Sequence, residues 1–302
     1  GGSAPNTPFS NTYFGLLDVD PSTLPSPTNP DSYFFAGGLA YAEPLGPTPT
    51  GVQRFEHTTS HALNPNPVRI YALNGNITDG TVDSLGFYYD ELALVPNKPA
   101  FIQAGNDIVN LTFLGENFYA SDITRIVAGR DIYDPVLGTA PHIDPKWAYY
   151  LTPALELAGP GYFDVQAGRN IGALASANNA NQAETSSLQG ALGIQTGIQT
   201  VGDLDNASLP AQSANISILF GVGKGINDTG FAAAYIDPSA PPIPGVTSLT
   251  PGLIAYVEQI EEDDLKRRGV SGNIASLTSD QAWAIFEALP QYQQQAFVDE
   301  EF

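Results

Sequence analysis

His57 and His61 stand four residues apart, the separation at which two imidazoles on one helix can share a metal ion. Their context, Arg54-Phe-Glu-His-Thr-Thr-Ser-His-Ala62, has no helical stripe and no third ligand, and Glu56 does not supply one. Glu261-Glu-Asp-Asp264 could hold a cation, but an acidic run on a helix reads more simply as a solvated face. Asp18 and Asp20 lack the glycine and distal glutamate of a calcium loop. Gly221-Val-Gly-Lys-Gly225 has the glycines of a phosphate loop without its Lys-Ser/Thr or a following helix, and reads as a corner between strands. Asp107, Asp131 and Asn170 recur at one position of a repeat. Clustered acids on a strand face cleave polysaccharides in some β proteins. In a turn the same residues bond local backbone, and that is the reading preferred here. The Asn-X-Ser/Thr sites at Asn76, Asn110, Asn206, Asn215 and Asn227 matter only where such sites are glycosylated. No catalytic, cofactor-binding or metal-ligating residue is assigned, and no cofactor is expected.

Composition restricts the partners. The chain has 302 residues, a hydrophobic fraction of 42% and a charged fraction of only 14%, so Asn, Gln, Ser, Thr and Gly carry the polar load of a globular protein. A net charge of -21 argues against nucleic acid, whose phosphates need clustered Lys and Arg, and against an anionic membrane. Acidity instead keeps an extended β protein soluble, and such a surface could also bind divalent cations. With no Cys there is no disulfide framework, as in many exported bacterial proteins. No apolar run is long enough for a membrane-spanning helix, and no signal peptide is visible. Gly1-Gly-Ser3 and Glu300-Glu-Phe302 both look like cut ends, so a piece of a longer polypeptide is expected.

The elements that would position any chemistry come from a repeat. Val68-Arg-Ile-Tyr-Ala-Leu-Asn-Gly-Asn-Ile77, Phe101-Ile-Gln-Ala-Gly-Asn-Asp-Ile108, Arg125-Ile-Val-Ala-Gly-Arg-Asp-Ile132 and Phe163-Asp-Val-Gln-Ala-Gly-Arg-Asn-Ile171 share one pattern. Ile216-Ser-Ile-Leu-Phe-Gly-Val-Gly-Lys-Gly-Ile226 is a looser copy. Alternating apolar residues make a strand with one buried face, a small residue and Gly make a tight corner, and Ile returns inward. The glycines at 75, 105, 129, 168 and 221 are spaced as in a solenoid with inserted loops. The pattern predicts a mainly β chain, a right-handed parallel β-helix (solenoid). A β-sandwich is the alternative, because Leu92-Ala-Leu-Val95 and Leu111-Thr-Phe-Leu114 lie at hairpin spacing.

Four regions follow. Residues 1–65 are Pro/Ser-rich and read as an extended arm pinned by Tyr13-Phe-Gly-Leu-Leu17 and Tyr33-Phe-Phe-Ala36. Residues 66–236 form the β-helix body, with excursions at 133–153 and 173–200. Residues 237–250 are a Pro-rich linker. Residues 251–302 carry three helical signals: Thr250-Pro251 with Leu253, Ile254, Val257 and Ile260; the capping box Thr278-Ser-Asp-Gln281 with Trp283, Phe286 and Leu289; and Pro290 with Tyr292 and Phe297. This helical cap is expected to cover the open end of the solenoid.

Leu157-Ala-Gly-Pro-Gly-Tyr-Phe-Asp-Val-Gln-Ala-Gly-Arg-Asn-Ile171, Val201-Gly-Asp-Leu-Asp-Asn-Ala-Ser-Leu-Pro210, Ala214-Asn-Ile-Ser-Ile218 and the tail from Leu277 to Phe297 carry a resemblance. Over roughly residues 65–302 the chain resembles a C-terminal domain, of no assigned activity, in the filamentous haemagglutinin-like large exoproteins. The Asn/Ala/Gln-rich stretch after Ile171 departs from it. The resemblance implies two-partner secretion through an outer-membrane transporter and a β-helical shaft at the bacterial cell surface. It also implies adhesion or a filament role, and no catalytic residues. Expected partners are a surface receptor or glycan, flanking parts of the parent exoprotein, the transporter during export, and further copies in self-assembly. A carbohydrate-active β-helix enzyme and a processing or prodomain segment are the alternatives.

Overall fold

The computed structural model describes residues 15–17, 62–78, 92–96, 98–109, 111–133, 154–172, 197–203, 209–272 and 274–302. Outside them lie Tyr13, Tyr33-Phe-Phe-Ala36, Asp18, Asp20, Glu56, His57, His61, Asn110, Asn206 and most of both excursions.

The strands are β1 (Gly15–Leu17), β2 (Val68–Ala72), β3 (Ile77–Thr78), β4 (Leu92–Val95), β5 (Ala100–Ala104), β6 (Ile108–Val109), β7 (Leu111–Glu116), β8 (Ile123–Ala128), β9 (Asp131–Tyr133), β10 (Ala154–Ala158), β11 (Tyr162–Ala167), β12 (Asn170–Ile171), β13 (Gly197–Gly202) and β14 (Asn215–Phe220). They form three sheets, ordered β1-β4-β7-β10-β13, β14-β11-β8-β5-β2 and β12-β9-β6-β3. Each strand pairs in parallel with the strand three places along the chain. The described chain is therefore mainly β, in parallel sheets. The hairpin-built sandwich does not hold for these strands: β4 and β7 pair in parallel, with β5 and β6 between them in sequence. Residues 15–17 of the arm join the body through the backbone, as a strand beside β4.

Register explains the repeat. Val68, Ala100, Thr124, Phe163 and Ile216 stand in one column of the second sheet. Ile70, Ile102, Ile126, Val165 and Ile218 form the next, and Ala72, Ala104, Ala128, Ala167 and Phe220 the last. The middle residues of these columns are buried with Ile108, Ile132, Phe113, Leu155 and Leu157 in one core. Each Ile or Phe hidden in it contributes about 1.5–3 kcal/mol over exposure.

Beyond the Ala column the glycines touch. A Cβ on Gly129 would lie 2.2 Å from the Gly105 carbonyl oxygen, and one on Gly168 would lie 2.1 Å from that of Gly129. Gly75 does not belong to this stack. One extra residue separates Ala72 from Ile77 compared with Ala104 from Ile108, so Leu73 sits beneath Gly105 and a Cβ on Gly75 would meet nothing.

Helices follow β14: α1 (Asp228–Phe231), a π turn (Ala232–Ile236), α2 (Thr250–Arg267), α3 (Ser279–Ala288) and α4 (Gln291–Glu301). Thr278 and Gln281 form the expected capping box on α3. Thr250 is the first residue of α2 rather than its cap, and Gly269 ends that helix at φ 69°. Ile236, Leu253, Tyr256, Val257, Ile260, Phe286 and Phe297 give the helices a core of their own.

The last helix packs on the second sheet. Tyr292 of α4 packs edge-on against Phe101 of β5, at 4.8 Å between ring centroids. Asp299 reaches Arg125 of β8, and Glu300 reaches Asn215 of β14. α4 thus crosses the outward face of the second sheet. The apolar face of the helices covers that flank, and Ile216, Ile218 and Phe220 on the end strand stay exposed.

Candidate functional site

Acidic residues meet at two kinds of place, the sheet corners and the covered flank. At the corners the side-chain oxygen of one level accepts the N–H of the same position one level on. Asn76 accepts from Asp107 (3.2 Å), Asp107 from Asp131 (3.2 Å), and Asp131 from Asn170 (3.1 Å). Arg130 pairs with Asp107, and Arg169 with Asp131. Burial alone would raise the Asp131 carboxyl, but bonds from Arg169 and Asn170 outweigh it and hold the pKa below the usual range. The recurrence of Asp107, Asp131 and Asn170 is therefore a backbone ladder, as preferred above. Asn215 bonds Glu300, and Asn227 caps α1 through Gly230 N–H, so these two sequons also carry structural bonds.

The flank holds a buried charge cluster. Alternation in β8 and β11 turns Arg125 and Asp164 outward, and register sets them side by side. α4 closes over them. Arg125 donates to Asp299 Oδ2 (3.2 Å) and to Gln295, which in turn donates to Asp228 of α1 (2.8 Å). Arg125 Nε lies 3.6 Å from Asp164 Oδ2, an ion pair too long to be a hydrogen bond. Neither Asp164 oxygen accepts a hydrogen bond. Burial pushes Asp164 up to about 7, against the pull of Arg125 and with the push of Asp299 and Glu300. Asp299 rises to about 6, again chiefly by burial.

Two carboxyls titrating near neutrality beside an arginine are the raw material of acid–base catalysis. Access decides against that use. The side chains of Arg125, Asp164 and Asp299 are 9%, 3% and 4% exposed, so no substrate reaches them while α4 is docked. The cluster fastens a helix to a sheet.

A second fastening lies beside it. Arg267 of α2 pairs with Asp122 at 2.5 Å and stacks over the Tyr119 ring at 4.4 Å. Asp122 also accepts the N–H groups of Phe118 and Tyr119, yet burial still raises its pKa. Asp263 accepts from Ser121 N–H (3.0 Å) and from Lys266 (2.8 Å). This corrects the reading of Glu261-Glu-Asp-Asp264 as a solvated face: Glu261 is exposed, but Asp263 is buried against the turn between β7 and β8. Within the first sheet, Glu156 is buried and accepts from Gln199.

Gly221-Val-Gly-Lys-Gly225 follows β14, and Gly223 N–H bonds the Gly168 carbonyl at 2.9 Å, which places it over the preceding corner. Among the described residues no three His, Cys, Asp or Glu side chains gather to hold a metal ion, and no helix is long and apolar enough to cross a membrane. The sequence does not mark Arg125, Asp164 or Asp299 as a cluster. Arg125 and Asp164 sit at strand positions where alternation points to solvent, and nothing local announces a covering helix.

Comparisons of the chain with known protein families, curated proteins and solved structures found no match.

Proposed function

We propose that the three parallel sheets are the faces of a right-handed β-helix and that this chain is a non-enzymatic, structural or adhesive segment of a large secreted bacterial exoprotein. The observation that carries this reading is the corner stack. Gly105, Gly129 and Gly168 touch level upon level, with the Asn76–Asp107–Asp131–Asn170 ladder beside them. Strands three apart that pair in register are what a three-faced coil requires.

The acids support the non-enzymatic side. Those at the corners are engaged with backbone and arginine, and those on the flank are sealed under α4. A carbohydrate-active enzyme needs carboxyls open to a groove. The filamentous haemagglutinin-like resemblance adds the cell-surface location, export through an outer-membrane transporter, and contact with a receptor or glycan. Protease shaving of intact producing cells, read by mass spectrometry for peptides of this chain, tests the location. Release of the peptides from intact cells or recovery from medium is expected. Their confinement to the cytoplasm overturns the reading.

A further inference from the structure

The stack ends unevenly. At one end β14 extends the second sheet beyond β11, and among the described residues no further strand joins it there. At the other end β1 extends the first sheet beyond β4, one level before β2 and β3. The two steps lie in different sheets and at opposite ends. We propose that copies of this chain join end to end, β14 of one receiving β2 of the next while its β13 receives the next copy's β1. The proposal rests on the stacked-coil reading above.

Burial argues for it. Ile216, Ile218 and Phe220 stand in register over Phe163, Val165 and Ala167, which are 0%, 1% and 0% exposed, yet are themselves 40%, 43% and 64% exposed. Among the described residues no next level covers them. The chain does not supply that level after β14, because residues 228–301 turn onto the flank. The receiving end has the matching pattern. Val68, Ile70 and Ala72 are half-buried at the same three column positions. Phe220, the one large residue in the Ala column, would meet the small Ala72. Among the described residues β14 and β2 are the outermost strands of the second sheet, and two such parallel edges supply backbone donors and acceptors for each other. The third sheet stays one strand short at the joint, where Gly223 already bonds across the Gly168 corner.

Such a joint is heterologous and open-ended, so it gives rods rather than a closed dimer. Each copy carries a net charge of -21, so association strengthens with salt.

Sedimentation velocity and negative-stain microscopy of the full chain, across a wide dilution series at low and high salt, test this. Expected are species that lengthen with concentration and salt. Ile218→Lys blocks one end and Leu16→Pro the other, each weakening association at least about tenfold, because a buried ammonium or a missing strand donor ruins the joint. Phe220→Asp is a second block at the β14 end, and circular dichroism checks that each variant folds. Mixing Ile218→Lys with Leu16→Pro restores dimers and nothing longer, since each keeps one good end. A chain that stays monomeric at every concentration and salt overturns the proposal, as does a closed dimer indifferent to both variants. Monomers recovered from the cell surface sink the joint alone. Rods formed by a protein confined to the cytoplasm sink the surface reading and leave the joint standing.

Discussion

Asp164 sits in an environment far from what its type suggests. Its folded pKa, about 7, lies above the ordinary carboxylate value of 3.8, as does that of Asp299 at about 6. The folded chain therefore binds protons that the unfolded chain has released, across the window between the two values. Stability falls as the pH climbs through that window and levels off above it. Thermal unfolding should give a higher midpoint at about pH 5 than at about pH 8, and Asp164→Asn should flatten much of that slope. An unchanged slope in the variant would refute the assignment. The corner glycines give a second residue-level outcome. Gly129→Ala drives a methyl into the Gly105 carbonyl and should cost about 1–3 kcal/mol or more in a urea titration. Gly75→Ala meets nothing and should be close to neutral. Both glycines belong to copies of the repeat, but Leu73-Asn74 separates Gly75 from Ala72 where Gly129 directly follows Ala128. What that extra residue does to the corner, setting Leu73 rather than Gly75 beneath Gly105, becomes visible only once the levels are set in register.

At the scale of elements, the strands were legible and the placement of the helices was not. Alternation, a small residue, Gly and a returning Ile define a buried face and a corner with no reference to anything distant. The capping box on α3 and the apolar stripe of α2 mark helices just as locally. A stripe states that a face is buried, but not against what. The same uncertainty hid Arg125, because an outward arginine on a strand is ordinary until a helix covers it. Removing one partner of the buried cluster should be costly. Arg125→Met leaves Asp164 and Asp299 buried without their cation and should destabilise the chain by about 3–5 kcal/mol. The triple change Arg125→Met, Asp164→Asn, Asp299→Asn should recover much of that loss, since no uncompensated charge remains. Hydrogen exchange would locate the damage: faster exchange is expected in α4, with β5 and β8 still protected. Equal loss in those strands would contradict the view that the helices are a separately cored layer on the flank.

For the whole molecule, the repeated motif specifies how levels stack but leaves the number of levels and the fate of the ends open. Nothing in Ile216-Ser-Ile-Leu-Phe220 distinguishes a strand with a neighbour above it from one without. Successive copies of the motif pair in register, each beside the last in the second sheet. The absence of native Cys allows a clean measurement by paired cysteines at the exposed corner. Arg130 N–H bonds the Asn106 carbonyl at 2.9 Å, and Arg169 N–H bonds that of Arg130 at 2.7 Å, so the three residues occupy consecutive levels. Neighbouring levels sit about 4.8 Å apart, within disulfide reach, and alternate levels lie beyond it. Under mild oxidation Asn106→Cys with Arg130→Cys, and Arg130→Cys with Arg169→Cys, should close within one chain, while Asn106→Cys with Arg169→Cys should not. Efficient closure of the last pair, or failure of both others, would contradict the stack.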